Sequence, residues 1–105
     1  MPGRGEVWTV DLGMAAKVRP TLILNQPFQP FTDADRALIT IIPHTQTLRA
    51  SQFEIALPLR FLKGGAFLVR NPVTIPAVKA ERRLGQLTPA QLAAVEAGVR
   101  GWLGL

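Results

Sequence analysis

Proline and glycine interrupt this chain of 105 residues so often that long regular elements are excluded over most of its length. Nine prolines and nine glycines are spread between short apolar runs. Because these residues end strands and favour tight turns, the pattern predicts many short β-strands. The predicted strands lie at residues 6–12, 20–25, 37–43, 51–57, 66–70 and 73–78.

The end of the chain changes to a helical period. Apolar side chains recur there every three or four residues, at Leu92, Val95, Val99 and Trp102. Thr88 precedes Pro89 and stands three residues before Gln91, which is typical of an N-terminal capping box, and Gly104 marks the end. Short strands followed by one helix predict a mainly β fold. We expect a small β-barrel of five to seven strands with a C-terminal α-helix, as one domain over residues 1–105.

Composition excludes several kinds of chemistry. The absence of cysteine rules out disulfides, cysteine zinc sites and thiol nucleophiles, and one histidine argues against a histidine metal site. We therefore expect no metal and no cofactor. The apolar runs are far shorter than the roughly 20 residues of a membrane span, and the N-terminus lacks a signal-peptide core, which favours a cytoplasmic protein. A hydrophobic content of 48% in so short a chain also favours a homodimer or a monomer whose apolar surface a partner covers.

Positive charge is concentrated in one part of the sequence. Residues 36–83 contain eight Lys and Arg against two Glu, whereas residues 1–35 contain three cations and four anions. Such segregation indicates a polyanion site better than the net charge of +5 does. A solvated basic face is the alternative that the pattern leaves open.

Arg19 is a candidate anion-binding residue because of its position at the mouth of a predicted strand. It directly precedes Pro20, which stiffens the backbone there. The planar guanidinium group offers two parallel donors that match the oxygens of a phosphate. The alternative is a surface salt bridge with Glu6 or Asp11.

His44 and Thr45 follow the third predicted strand and are further candidates. His44 is the side chain whose ordinary pKa lies near neutral pH, and Thr45 can donate a hydrogen bond to an anionic oxygen. Neighbouring residues on a strand point to opposite faces, so these two converge only if the strand ends at Pro43. A structural histidine and a threonine bonded to its own turn are the alternatives.

Five motifs follow one another along nearly the whole chain. They are GEVWTVDL at 5–12, RPTLIL at 19–24, IPHT at 42–45, RLGQLT at 83–88 and WLGL at 102–105. In this order they resemble the MazF/PemK family of toxin endoribonucleases. That family opens with a strand that begins Gly-Glu-Val/Ile-Trp, continues with a strand that begins Arg-Pro and then has a Pro-x-Thr-Ser turn.

The resemblance implies an SH3-like barrel, a homodimer and a type II toxin that a cognate antitoxin blocks. It implies metal-independent, sequence-specific cleavage of single-stranded RNA, often messenger RNA. By position, Arg19 and Thr45 match the family's usual catalytic pair, and we add His44 as a candidate acid or base. The residues expected to contact RNA are Lys17, Gln46, Arg49, Arg70 and Asn71.

The chain departs from the family pattern in three places. The loop before Arg19 is shorter than usual and lacks the family's second Arg and Gly residues, and Gln46 stands where Ser is common. In the third place, residues 65–75, Asn71 replaces a common Gln and Val73 a common Arg. Where some members carry an Arg and an Asp used as acid and base, this chain has Leu68 and Arg70, so that carboxylate mechanism does not carry over. Two functions without catalysis stay open as alternatives. One is a gyrase-binding toxin like CcdB, which shares the barrel, and the other is a family member that binds RNA without cutting it.

Overall fold

The computed structural model describes residues 2–13, 18–26 and 38–105. These residues form seven strands, a short 3-10 helix at Ala77–Lys79 and one α-helix. The elements are β1 (Glu6–Asp11), β2 (Val18–Ile23), β3 (Leu38–Thr45), β4 (Glu54–Ile55), β5 (Ala66–Leu68), β6 (Val73–Pro76), β7 (Ala80–Gln86) and α1 (Pro89–Leu103).

The strands form one antiparallel sheet in which β3 is the central element. The order is β4-β5-β3-β2-β1-β7, and β6 pairs with the first half of β3, ahead of β5. A mainly β fold with a C-terminal helix is therefore confirmed. The sheet is not strictly closed among the described residues, since β4 and β7 lie at its two ends.

Both faces of the sheet are covered by apolar side chains. Leu22 and Ile23 are consecutive on β2 and both fully buried, one in each of two hydrophobic clusters. The first cluster includes Phe67 and is covered by Val95 and Val99 of α1, while the second gathers isoleucines of β2 and β3. Burying each such side chain contributes about 1.5–3 kcal/mol, so these two clusters fix which face every residue of β2 and β3 occupies.

The helix begins and ends where the sequence predicts. The Thr88 side chain accepts a hydrogen bond from the Gln91 backbone, and the Gln91 side chain accepts one from the Thr88 backbone, which completes the capping box. Gly104 ends the helix in the left-handed conformation with φ of 73°. A Cβ at Gly98 would lie 3.1 Å from Ile55 and Val69, so glycine there lets the helix lie close to the sheet.

Three details differ from the predicted strands. β1 buries both Val7 and Val10, which strict alternation forbids, because its pairing with β7 shifts register twice. β4 contains only two of the residues predicted at 51–57. β7 was not predicted, since its exposed residues Glu81, Arg82 and Arg83 hide the apolar alternation. No helix in the described ranges is long and apolar enough to cross a membrane.

Candidate active site in an arginine-lined groove

The pairing of β2 with β3 brings Arg19 and Thr45 together. Thr21 pairs with Pro43, Leu22 with Ile42 and Ile23 with Ile41. Continuing that register by two residues sets Arg19 opposite Thr45, and both lie on the sheet face of Ile23 and Ile41. Residues 26 positions apart in sequence therefore become cross-strand neighbours at one end of the sheet.

Arg19 and Thr45 line one open cavity of 460 Å³. We call this cavity the arginine groove, because three of its lining side chains are arginines. Its lining residues are Arg19, Thr45, Thr47, Arg49, Glu54, Leu68, Arg70 and Asn71. Three guanidinium groups against one carboxylate make the groove attractive to an anion.

The Thr45 hydroxyl is oriented by its own turn. Its oxygen accepts a hydrogen bond of 3.1 Å from the backbone N–H of Thr47. That bond uses a lone pair and leaves the hydroxyl proton available for donation. Thr45 is half-buried, so an anion in the groove can reach the hydroxyl while the strand holds it in place.

His44 faces the other side of the sheet. β3 continues through Thr45, so the convergence of the two side chains that depended on a strand end at Pro43 does not occur. His44 is 4% exposed and packs edge-on against Phe67, with ring centroids 4.9 Å apart. Burial lowers the pKa of His44, and a hydrogen bond with the Gly64 backbone opposes this only in part, so the ring is neutral at pH 7.

A smaller cavity of 280 Å³ joins these residues on the β2 side. Its lining residues are Val18, Arg19, Pro20, His44, Thr45, Gln46, Thr47 and Leu62. His44 is one of these lining residues, although nearly all of its surface is buried. A part for His44 in proton transfer stays a prediction.

The residues predicted to contact RNA do not all lie in one place. Arg49, Arg70 and Asn71 line the arginine groove together with Arg19 and Thr45. Gln46 lines the smaller cavity instead, where its amide donates a 2.8 Å hydrogen bond to the Lys63 carbonyl. Lys17 lies outside the described residues.

Glu54 is a groove residue that sequence reasoning missed. It pairs with Leu68 across β4 and β5, and its carboxylate points back to the backbone N–H groups of Arg49 and Ser51. The hydrogen bond from Arg49 and then that from Ser51 hold the pKa of Glu54 below its usual range, and Arg70 adds to the effect. The carboxylate is therefore ionised at neutral pH, and no local sequence pattern signals this contact.

The salt-bridge alternative for Arg19 is not what the described residues show. Glu6 pairs with Arg83 at 3.4 Å, and Asp11 accepts a hydrogen bond from the backbone of Gly13. Among the residues that the structure describes, Glu54 is the one carboxylate that lines the groove. Within the described part of the chain, no three His, Asp or Glu side chains gather as a metal site.

Comparison with solved structures finds the same fold in toxins. An endoribonuclease in complex with its cognate antitoxin, from a mycobacterial species, is 25% identical, with a TM-score of 0.82 over 100% of this chain and 97% of that one. MazF in a MazE–MazF crystal from Deinococcus radiodurans is 21% identical, with a TM-score of 0.80 over 99% and 96%. The toxin MazF-mt6 of Mycobacterium tuberculosis is 24% identical, with a TM-score of 0.77 over 95% and 97%.

The family assignment rests on sequence as well as on fold. A search of curated proteins found no significant match. A family model described as "PemK-like, MazF-like toxin of type II toxin-antitoxin system" matches residues 3–103, which is nearly the whole chain. This chain belongs to the PemK-like and MazF-like family of toxins of type II toxin–antitoxin systems.

Proposed function

We propose that the protein is a toxin that cleaves single-stranded RNA at specific sequences without a metal ion. The observation that carries the proposal is the arginine groove, where Arg19 and Thr45 stand as cross-strand neighbours beside two further arginines. The endoribonuclease of similar fold in complex with its antitoxin supports the same activity. An extended RNA backbone supplies the anion that such a groove would bind.

The proposed reaction is attack of a ribose 2′-hydroxyl on the adjacent phosphorus. The 2′-oxygen forms a bond to phosphorus and loses its proton to a base, while the bond from phosphorus to the 5′-oxygen breaks and that oxygen gains a proton. The products are a 2′,3′-cyclic phosphate and a 5′-hydroxyl. No metal takes part in this scheme, so the charge that builds on phosphorus must be stabilised by the side chains of the groove.

Arg19 and Thr45 have separate tasks in this scheme. Arg19 directs two N–H donors at the non-bridging oxygens, whose negative charge increases in the transition state. Thr45 donates a hydrogen bond from its hydroxyl to the same oxygens. Its own hydrogen bond with the Thr47 N–H uses only the oxygen as acceptor and leaves the hydroxyl hydrogen free. Arg19 is a poor base, since the guanidinium group carries only N–H donors and has no lone pair to accept a proton. The base and the acid must be other groups, and His44, which lines the smaller cavity beside this pair, is the candidate for one of them.

The partners of the toxin follow from the family and from charge. We propose that the protein acts in the cytoplasm as a homodimer that binds RNA across a shared groove. A cognate antitoxin would block that groove, and negative charge on its blocking segment would complement Arg19, Arg49 and Arg70. The complexes of similar toxins with their antitoxins support this assignment.

The proposal is tested by incubating an end-labelled single-stranded RNA with wild-type protein and with Arg19→Ala. We expect cleavage by the wild type, also in excess EDTA, and products that carry a 2′,3′-cyclic phosphate and a 5′-hydroxyl. Arg19→Ala should lower the rate at least a hundredfold, the usual effect of removing an oxyanion donor. Arg82→Ala is the matched control, because Arg82 is exposed on β7 outside the groove.

Three other outcomes would contradict the proposal in different ways. Full activity of Arg19→Ala would remove Arg19 from the site. Binding of RNA by the wild type without cutting would indicate a binding protein derived from the family. Neither binding nor cutting of any RNA tested, together with gyrase binding, would favour the CcdB-like alternative.

A further inference from the structure

The segment that leads into β4 is folded around one carboxylate. Glu54 accepts hydrogen bonds from the backbone N–H of Arg49, at 2.8 Å to Oε2, and of Ser51, at 3.0 Å to Oε1. The backbone N–H of Glu54 donates to the Ser51 carbonyl at 3.1 Å, and the Ser51 hydroxyl accepts from the Phe53 N–H at 3.1 Å. We call residues 49–54 the Glu54 loop.

The Glu54 loop contains a backbone conformation that costs free energy. Ala50 has a φ of 57°, and it is the only residue other than glycine with positive φ in the described ranges. A non-glycine residue in this left-handed region costs about 1 kcal/mol or more and persists only where its surroundings hold it. The flanking N–H groups of Arg49 and Ser51 both point at the Glu54 carboxylate, so that carboxylate is what holds Ala50 there.

A carboxylate inside a cationic groove is unexpected if the groove exists to bind phosphates. Glu54 reduces the positive charge that Arg19, Arg49 and Arg70 supply, so its charge alone weakens the attraction for RNA. The Glu54 oxygens already accept hydrogen bonds from backbone N–H groups, which stabilise the ionised form. The carboxylate is therefore a weak base. A structural benefit must therefore offset the charge.

We propose that Glu54 is a positioning residue that fixes the Glu54 loop so that the Arg49 side chain is presented to the RNA backbone. This inference rests on the proposed function and adds a residue for binding rather than for the chemical step. Arg49 lies at one end of the loop, and its own N–H is the group that Glu54 binds. Fixing this backbone nitrogen restricts the positions that the Arg49 guanidinium group can occupy in the free protein. Less conformational entropy is then lost when the side chain binds RNA.

Glu54→Gln tests the inference, with Glu81→Gln on β7 as the matched control for lost charge. The ligand is a single-stranded RNA with 2′-O-methyl groups, which binds but cannot be cleaved. We expect Glu54→Gln to weaken binding about tenfold, the usual effect of a lost charge-assisted hydrogen bond. The direction of the change in RNA affinity is decisive, because removing a negative charge from the groove would by itself tighten binding. Tighter or unchanged binding by Glu54→Gln would overturn the inference.

A double-mutant cycle with Arg49→Ala tests whether Glu54 affects RNA binding through the Arg49 side chain. If Glu54 acts through Arg49, Glu54→Gln should cause no further loss in the Arg49→Ala background. In cleavage assays, Glu54→Gln should raise KM, leave kcat unchanged and keep the acid limb of the pH–rate profile. A fall in kcat with loss of that limb would make Glu54 the general base and overturn the positioning role.

Hydrogen exchange separates failure of the inference from failure of the proposed function. The N–H groups of Arg49 and Ser51 should exchange faster in Glu54→Gln than in the wild type, which requires no RNA. Unchanged exchange would overturn the inference even where the wild type cleaves RNA. A wild type that binds the methylated RNA but cuts no RNA would remove the proposed activity and leave the test of Glu54 intact.

Discussion

The last two residues of β3 face two regions of the molecule that are built in different ways. Thr45 faces the arginine groove, where charged side chains stand in solvent. His44 faces the helix-covered side, where it packs on Phe67 and is 4% exposed. The groove face holds groups that can meet a ligand, and the packed face fixes the strand that carries them. Substitutions on the two faces should therefore separate activity from stability.

Gly65→Ala should have the largest effect, and it acts on the packed face. Gly65 has a φ of 85°, and a Cβ there would lie 2.3 Å from the Thr45 carbonyl oxygen and 2.6 Å from the His44 ring. We expect a loss of about 3 kcal/mol or more in the free energy of unfolding, measured by urea denaturation. Gly101→Ala is the control, since a Cβ there meets nothing within 4 Å. It should gain about 0.5–1 kcal/mol in helix propensity.

Thr45→Val should act on the groove face and change activity rather than stability. Valine keeps the shape of threonine but cannot donate a hydrogen bond to the transition state. We expect a loss of roughly a hundredfold in cleavage rate, which corresponds to about 3 kcal/mol. The unfolding midpoint should change little, because water can replace the hydroxyl as the partner of the exposed Thr47 N–H. Thr9→Val, on β1 and outside the groove, serves as the control, and equal losses in both variants would contradict the assignment.

The smallest of these effects concerns the pH dependence of stability. Because burial lowers the pKa of His44, the unfolded chain takes up a proton below about pH 6.5 while the folded chain stays neutral. The His44 contribution to stability is therefore complete above that pH and is lost progressively as the pH falls toward the folded pKa. His44→Gln should remove this part of the slope when the free energy of unfolding is measured between pH 5 and 8.

The same variant decides whether His44 also takes part in catalysis. A proton-transfer role predicts that His44→Gln flattens the acid limb of the pH–rate profile. An unchanged limb would confine His44 to the packed face. Such a result would sharpen the contrast between the two residues at the end of β3.

Local signals were enough to predict much of the fold. The capping box placed the start of α1 at the correct residue. The side chains of Thr88 and Gln91, three residues apart, each accept a hydrogen bond from the backbone N–H of the other. β7 was missed, since its exposed charges leave no period-two pattern to recognise. The extent of β4 was overestimated because Phe53 alternates with Ile55 in the sequence, although the backbone before Glu54 turns to meet its carboxylate.

The candidate site shows a sharper limit to prediction. Arg19 and Thr45 were candidates from their positions beside predicted strands, and the family resemblance made them a catalytic pair. Their proximity depends on a register between strands that no local pattern specifies. Glu54 was missed because its partners are backbone N–H groups, which every sequence offers. The placement of His44 followed from alternation alone once the end of β3 was known.

The pairing of β2 with β3 makes the candidate site sensitive to the insertion or deletion of residues within these strands. Deleting one residue between Ile41 and Thr45 would turn the Thr45 hydroxyl toward the packed side and leave another side chain opposite Arg19. Arg19 and Thr45 therefore stay opposite each other only if neither strand gains or loses a residue between them and the paired positions.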